Sequence, residues 1–202
     1  MAATVFLVGC ADSGGRYGPG AGHFDTVVVD AGHGGHDPGA RAVSGSREKV
    51  LALDTAQRLT KILRSRGLRV IETRTTDYFV PLSRRVEISN RTGNAIFVSV
   101  HYNWGRRRGA NGIEIFHYSP RSRRLATNVL KETLRAYPTT NRGVKTARFH
   151  VLRNNRRPAI LCELGFLSNP KDNSQIQKAA VRQRLAERIA AGILAERAGR
   201  SP

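Results

Sequence analysis

The chain has 202 residues, with 34 Lys plus Arg against 15 Asp plus Glu and a formal net charge of +19. That length suits one domain with its own core, and the positive surplus points to an anionic partner: nucleic acid, an acidic membrane surface or an acidic wall polymer. There is no zinc-finger spacing or basic zipper, no run near the ~20 apolar residues that span a bilayer, and no cysteine framework beyond Cys10 and Cys162, so a nucleic-acid module, a transmembrane protein and a disulfide scaffold are all disfavoured.

Residues 1–10, MAATVFLVGC, are short and apolar and resemble the end of a bacterial lipoprotein signal, with Cys10 as the lipidated residue. No Lys or Arg precedes Cys10, and the apolar core is at the lower limit for a signal. Residues 11–25 are rich in Gly, Ser and Pro and are expected to form a flexible tether. Residues 1–25 therefore separate from a folded domain at 26–202.

Val27-Val28-Val29 has the β-branched character of a strand buried on both faces, and it runs into the Gly-rich stretch Gly32-His33-Gly34-Gly35-His36-Asp37-Pro38-Gly39. Ser46 is placed to cap a helix over 47–66, with Leu51, Ala56, Leu59, Ile62 and Leu63 at helical spacing and Gly67 as its stop. A strand is expected over 68–73, a helix from Pro81 to about Thr92, and a third strand over 95–100 that delivers His101. A fourth strand over 112–118, a helix over 122–137 and a short strand over 149–152 follow. Then come a buried strand over 158–163, a helix start at Asn169-Pro170, and an amphipathic helix over 179–197. Strands alternating with helices imply a single α/β domain. Its sheet would have about six mostly parallel strands with helices on both faces.

Ligands in open α/β sheets sit beyond the carboxyl ends of the strands. His33 follows the first strand and His101 the third, while Glu48 opens the first long helix. Two imidazoles and one carboxylate suit one Zn²⁺ per chain and leave a position for water. Glu163 ends the apolar run Ala159-Ile160-Leu161-Cys162, where an unpartnered carboxylate is costly. A general base acting on the water would occupy such a place.

These pieces form an ordered set across residues 27–170. The set comprises the strand with GHGGHDPGA, Arg47-Glu48-Lys49, Thr73-Arg74-Thr75-Thr76-Asp77 with Leu82 and Arg85, and Ser99-Val100-His101-Tyr102-Asn103. It continues with Gly112-Ile113-Glu114-Ile115-Phe116, Arg142-Gly143-Val144-Lys145, Val151-Leu152-Arg153 and Glu163-Leu164-Gly165-Phe166-Leu167-Ser168-Asn169-Pro170. The chain resembles the zinc-dependent N-acetylmuramoyl-L-alanine amidases, peptidoglycan hydrolases that cut between muramic acid and the stem peptide. The resemblance implies zinc on His33, Glu48 and His101 and a catalytic Glu163. Its departures are Cys162 and Leu164 beside that glutamate, and Tyr102 in place of a smaller residue.

The implied partner is peptidoglycan, in the periplasm or outside the cell, with membrane anchoring through Cys10 as an added expectation. Asn103 is a candidate for orienting the site. Arg106, Arg107 and Arg153 are candidates for binding stem-peptide carboxylates, within the clusters Arg106-Arg107-Arg108 and Arg153, Arg156 and Arg157. His36, His117 and His150 are expected in surface or loop roles, and Arg74 with Asp77 as a structural pair. Only about four residues, Ser119 to Ser122, separate the fourth strand from the next helix. That is too few for a helical plug over the zinc, so no obligatory protein activator is expected. A zinc peptidase acting on a stem-peptide bond and a non-catalytic wall-binding protein are the competing readings.

Overall fold

The triple valine forms the middle of β1 (Thr26–Ala31), all six of whose residues are buried. In the computed structural model, which describes residues 20–200, β1 lies inside a six-stranded sheet with β2 (Arg69–Glu72), β3 (Ala95–Asn103), β4 (Ile113–His117), β5 (Asn141–Thr146) and β6 (Ala159–Phe166). The order is β2-β1-β3-β6-β4-β5. Every neighbouring pair is parallel except β4 with β6. The expected single α/β domain with a mostly parallel sheet is thus the one observed.

The helices are α1 (Glu48–Ser65), α2 (Leu82–Arg91), α3 (Arg123–Thr133), α4 (His150–Arg153), α5 (Pro170–Ile176) and α6 (Ala179–Arg197). Alternation along the strands sorts their side chains to two faces. Val27, Val29, Val98, Val100, Ile160, Cys162 and Leu164 join α1, α3 and α6 in the larger core. Val28, Phe97 and Leu161 face the other way, onto Val86 of α2 and Val151 and Leu152 of α4. Helices of 10 and 4 residues make a thin second layer. They cover the lower part of that face and leave its carboxyl end open. Asp30, Ser99, His101, Asn103, Glu163 and Glu114 share this face by the same alternation.

Several local expectations change. Residues 149–152 form the turn that starts α4, with Leu152 and Arg153 N–H both donating to the Phe149 carbonyl. The sixth strand is instead β5, whose Asn-Arg-Gly-Val-Lys-Thr has no apolar alternation because it is an edge strand with half-exposed side chains. Ser46 does not cap α1. Arg47 holds the cap position, Glu48 and Lys49 N–H donate to the Ala40 and Pro38 carbonyls, and Ser46 Oγ accepts from Gln177 Nε2 at 2.8 Å. Gly67 does end α1, at φ 74°, with its N–H on the Arg64 carbonyl and that of Leu68 on the Leu63 carbonyl. Pro81 is the cap of α2, and the third long helix stops at Thr133. Residues 20–25, assigned by composition to the tether, pack on the domain: Ala21 and Phe24 are buried, and Ala21 N–H donates to Glu196 Oε1 at 2.6 Å. Cys10 lies outside the described residues.

Candidate active site

β1 and β3 are adjacent and parallel, so the residues beyond their ends meet in space. The rings of His33 and His101 stand 4.9 Å apart at 77°. The loop from β1 then turns back to start α1, placing Glu48 between them. Its Oε2 is 3.1 Å from His33 Nε2, and its Oε1 is 2.9 Å from His101 Nδ1. The backbone completes the set: Ala40 N–H donates to Oε2 at 3.0 Å and Tyr102 N–H to Oε1 at 3.1 Å. One donor atom from each of His33, Glu48 and His101 lies within 4.8 Å of the others, a group able to hold a metal ion. Burial alone would raise the Glu48 carboxyl, but contacts from His101 and His33 outweigh it and hold the carboxyl well below its usual range.

The loop is built for this approach. A side chain at Gly39 (φ 62°) would place its Cβ 2.7 Å from both Glu48 Oε2 and the His33 ring. His33 itself sits at φ 60°, a region costly for a residue with a side chain. Buried groups hold it there. Arg85 Nη2 donates to the His33 carbonyl at 2.7 Å, and Arg85 Nη1 reaches the Ala31 carbonyl and Asp30 Oδ1. Asp30 also accepts from Thr73 Oγ1 and Ser99 Oγ. Arg74 donates to the carbonyls of Ala31, Gly32 and Lys49. Burial pushes the Asp30 carboxyl up, yet Arg85, Ser99 and Thr73 together bring it below its ordinary value. Asp37 takes the far side of His33, accepting at 2.8 Å from Nδ1, so the ring presents Nε2 to the group.

Glu163 is the Cα partner of His101 on β6. Its Oε2 is buried and has no hydrogen-bond partner among the described residues. Burial first, then the negative charges of Glu48 and Glu114, push its pKa well above the ordinary value. A cavity of about 570 Å³ opens over these groups, walled by Phe79, Leu82, Trp104 and Phe149.

The structure therefore brings His33, Glu48, His101 and Glu163 together, with Asn103 at the same cavity. Asn103 donates to Glu114 Oε1 at 2.6 Å. Arg106, Arg107 and Arg153 are exposed and are not among the residues lining the cavity. Tyr102, Cys162 and Leu164 turn into the opposite core, and Tyr102 Oη bonds Thr55 Oγ1. Arg74 and Asp77 do not pair with each other: Asp77 takes Lys49 Nζ at 2.7 Å and Gly35 N–H at 2.8 Å. His117 and His150 were expected in surface or loop roles, but His117 is buried at the end of β4 and His150 opens α4 and lines the cavity; the holding roles of Asp37 and Asp30 were passed over. It also left Glu114 without a role. Glu114 interrupts Ile113 and Ile115 much as Glu163 follows an apolar run, the signal that would have marked it.

The family model described as N-acetylmuramoyl-L-alanine amidase matches residues 27–195. The chain is 36% identical over 173 residues to the sporulation-specific N-acetylmuramoyl-L-alanine amidase of Bacillus subtilis, spanning 83% of this chain and 66% of that protein. Among solved structures, the catalytic domain of the amidase CwlV from Bacillus (Paenibacillus) polymyxa is 35% identical, with a TM-score of 0.81 and coverage of 84% of this chain and 96% of that one. The CwlD amidase of Clostridioides difficile, solved in complex with the GerS lipoprotein, is 29% identical with a TM-score of 0.83, covering 87% of this chain and 99% of that one.

Proposed function

The chain belongs to the N-acetylmuramoyl-L-alanine amidase family, and we propose that it is a zinc-dependent hydrolase of the amide joining N-acetylmuramic acid to the L-alanine of the peptidoglycan stem. The observation that carries this reading is the three-donor group of His33, Glu48 and His101 beside the unpartnered buried oxygen of Glu163. The donor chemistry fits Zn²⁺. Bound there, the cation would supply Lewis acidity to the scissile carbonyl and acidify a water. Glu163 takes the proton of the attacking water and hands it to the alanine nitrogen as the C–N bond breaks. The products are a lactyl carboxylate and a free alanine amine. Asp37 keeps His33 in the tautomer that leaves Nε2 free.

Digestion of purified sacculi with the full chain and Zn²⁺, followed by mass analysis, tests the reading. Stem peptides released with an L-Ala amino terminus support it. Cuts inside the stem would make the protein a peptidase, and binding without release would make it a wall-binding protein. We also place the protein at the cell envelope, where its substrate lies, and expect no obligatory activator. Between β4 and α3 the chain makes one short 3-10 turn over Pro120–Ser122. Negligible activity that appears only when envelope extract is added would overturn this second expectation.

A further inference from the structure

The open face of the sheet continues past Glu163. On β4, Glu114 is the Cα partner of Glu163, and on β5, Lys145 pairs with Phe116 on the same face. Glu114 is nearly inaccessible, with 5% of its side chain exposed, and it holds two cations. Arg142 Nε donates to its Oε2 at 3.0 Å, and Lys145 Nζ donates to the same oxygen. Two cations share the single Glu114 carboxylate, so part of their hydrogen-bonding capacity is left over. Both also face solvent, with 32% of the Arg142 side chain and 40% of the Lys145 side chain exposed. Both are held in place: Arg142 stacks on Phe166 at 4.9 Å, and Lys145 lies 5.9 Å from the centre of the Phe116 ring. Arg85, the arginine that lines the cavity, is buried and its donors are committed to Asp30, Val80, Ala31 and His33.

We propose that Arg142 and Lys145 form a carboxylate subsite for the stem peptide, selecting peptides whose residue after L-alanine keeps a free carboxylate. The proposal rests on the amidase reading above. β5 lies two strand spacings from β6, about 10 Å at ~4.8 Å each. An extended peptide advances ~3.3–3.6 Å per residue, so a γ-linked acidic residue next to the alanine brings its α-carboxylate within reach of the long Arg142 and Lys145 side chains. Their donors left over from Glu114 supply charge-assisted hydrogen bonds to it. Such a subsite distinguishes an acid from its amide, since the amide offers N–H groups where the cations need an acceptor.

The test is calorimetric binding of two synthetic stem tripeptides to the full chain, one with the free α-carboxylate on its second residue and one with that group amidated. The acid peptide is expected to bind about tenfold more tightly. Lys145→Gln should bring the acid peptide close to the amide in affinity while leaving the amide unchanged, and Lys145→Arg should restore the preference. Arg142 still pairs with Glu114 in both variants, and a melting curve checks this. Equal binding of the two peptides by the unmodified protein would overturn the proposal, as would equal weakening of both by Lys145→Gln. Neither result depends on catalysis. Failure of the amidase reading appears separately, as sacculi that release no alanine-terminated stems.

Discussion

The two halves of the site differ in how completely their polar groups are satisfied. On the β1–α1 side, the Asp30, Arg74, Arg85 and Glu48 side chains lie in a dense web of hydrogen bonds. On the β6 side, one Glu163 oxygen has no partner among the described residues, and the cations on Glu114 face solvent. Both halves contain buried carboxyls, but their pKa values move in opposite directions: Glu48 and Asp30 down, Glu163 up. Satisfied groups hold a shape against strain, as Arg85 does for His33 at positive φ. Unsatisfied groups are held ready for something that arrives. Natural structures leave few buried polar atoms unpaired, so an exception beside a metal-capable group points to function.

The largest expected effect comes from breaking the group that joins the halves. His33→Ala and His101→Ala should each abolish sacculus hydrolysis and most Zn²⁺ binding, measured by metal analysis after dialysis. Full zinc occupancy in both variants would remove the assignment. Next, the satisfied half should fail by unfolding. Arg85→Met strands Asp30 in a dry site and should cost about 3–5 kcal/mol of stability, read by denaturant titration. A change under 1 kcal/mol would mean that Asp30 is rescued by water or protonation.

The open half should fail in chemistry alone. Glu163→Gln should lose at least ~10²-fold in turnover while retaining zinc and its melting temperature. Near-native turnover would make Glu163 structural. A pH series separates the halves again. Asp30 has a depressed folded-state pKa, so its contribution to stability is present above its unfolded value of 3.8 and is lost as pH falls through the folded value. The melting temperature should therefore fall on acidification below about pH 4, and a flat profile there would contradict the Asp30 network. The smallest effect belongs to the arginine clusters outside the cavity lining. Neutralising Arg106 to Arg108, or Arg153, Arg156 and Arg157, should weaken sacculus binding in a salt-dependent way and leave cleavage of a soluble muropeptide near normal. Equal losses on both substrates would indicate a folding defect.

The local chemistry of the chain was largely its own. Three valines, a Gly-rich turn and a terminal histidine announce a strand that ends at a site, because β-branched runs favour buried strands and sites gather at strand ends. The helical spacing of Val181, Leu185, Ile189 and Ile193 places α6 for the same kind of reason. His33, Glu48, His101 and Glu163 were legible by residue type and position. What single-chain patterns do not encode is which strand lies beside which. The order β3-β6-β4-β5 sets Glu163 between His101 and Glu114, and it brings the unpatterned segment Arg142–Lys145 to the same face. Arg106 and Arg107 follow His101 closely and Arg153 precedes the Glu163 strand, yet two lie on an exposed loop, one at the exposed end of α4, and none lines the cavity. Edge strands carry weak sequence signals because one side faces solvent, so Arg142 to Lys145 stood out only as a motif piece, and its place as strand β5 emerged when the sheet was assembled. Likewise, the hold of Arg85 and Asp30 on His33 spans more than 50 residues of chain. Only the tertiary packing that closes that separation could decide it.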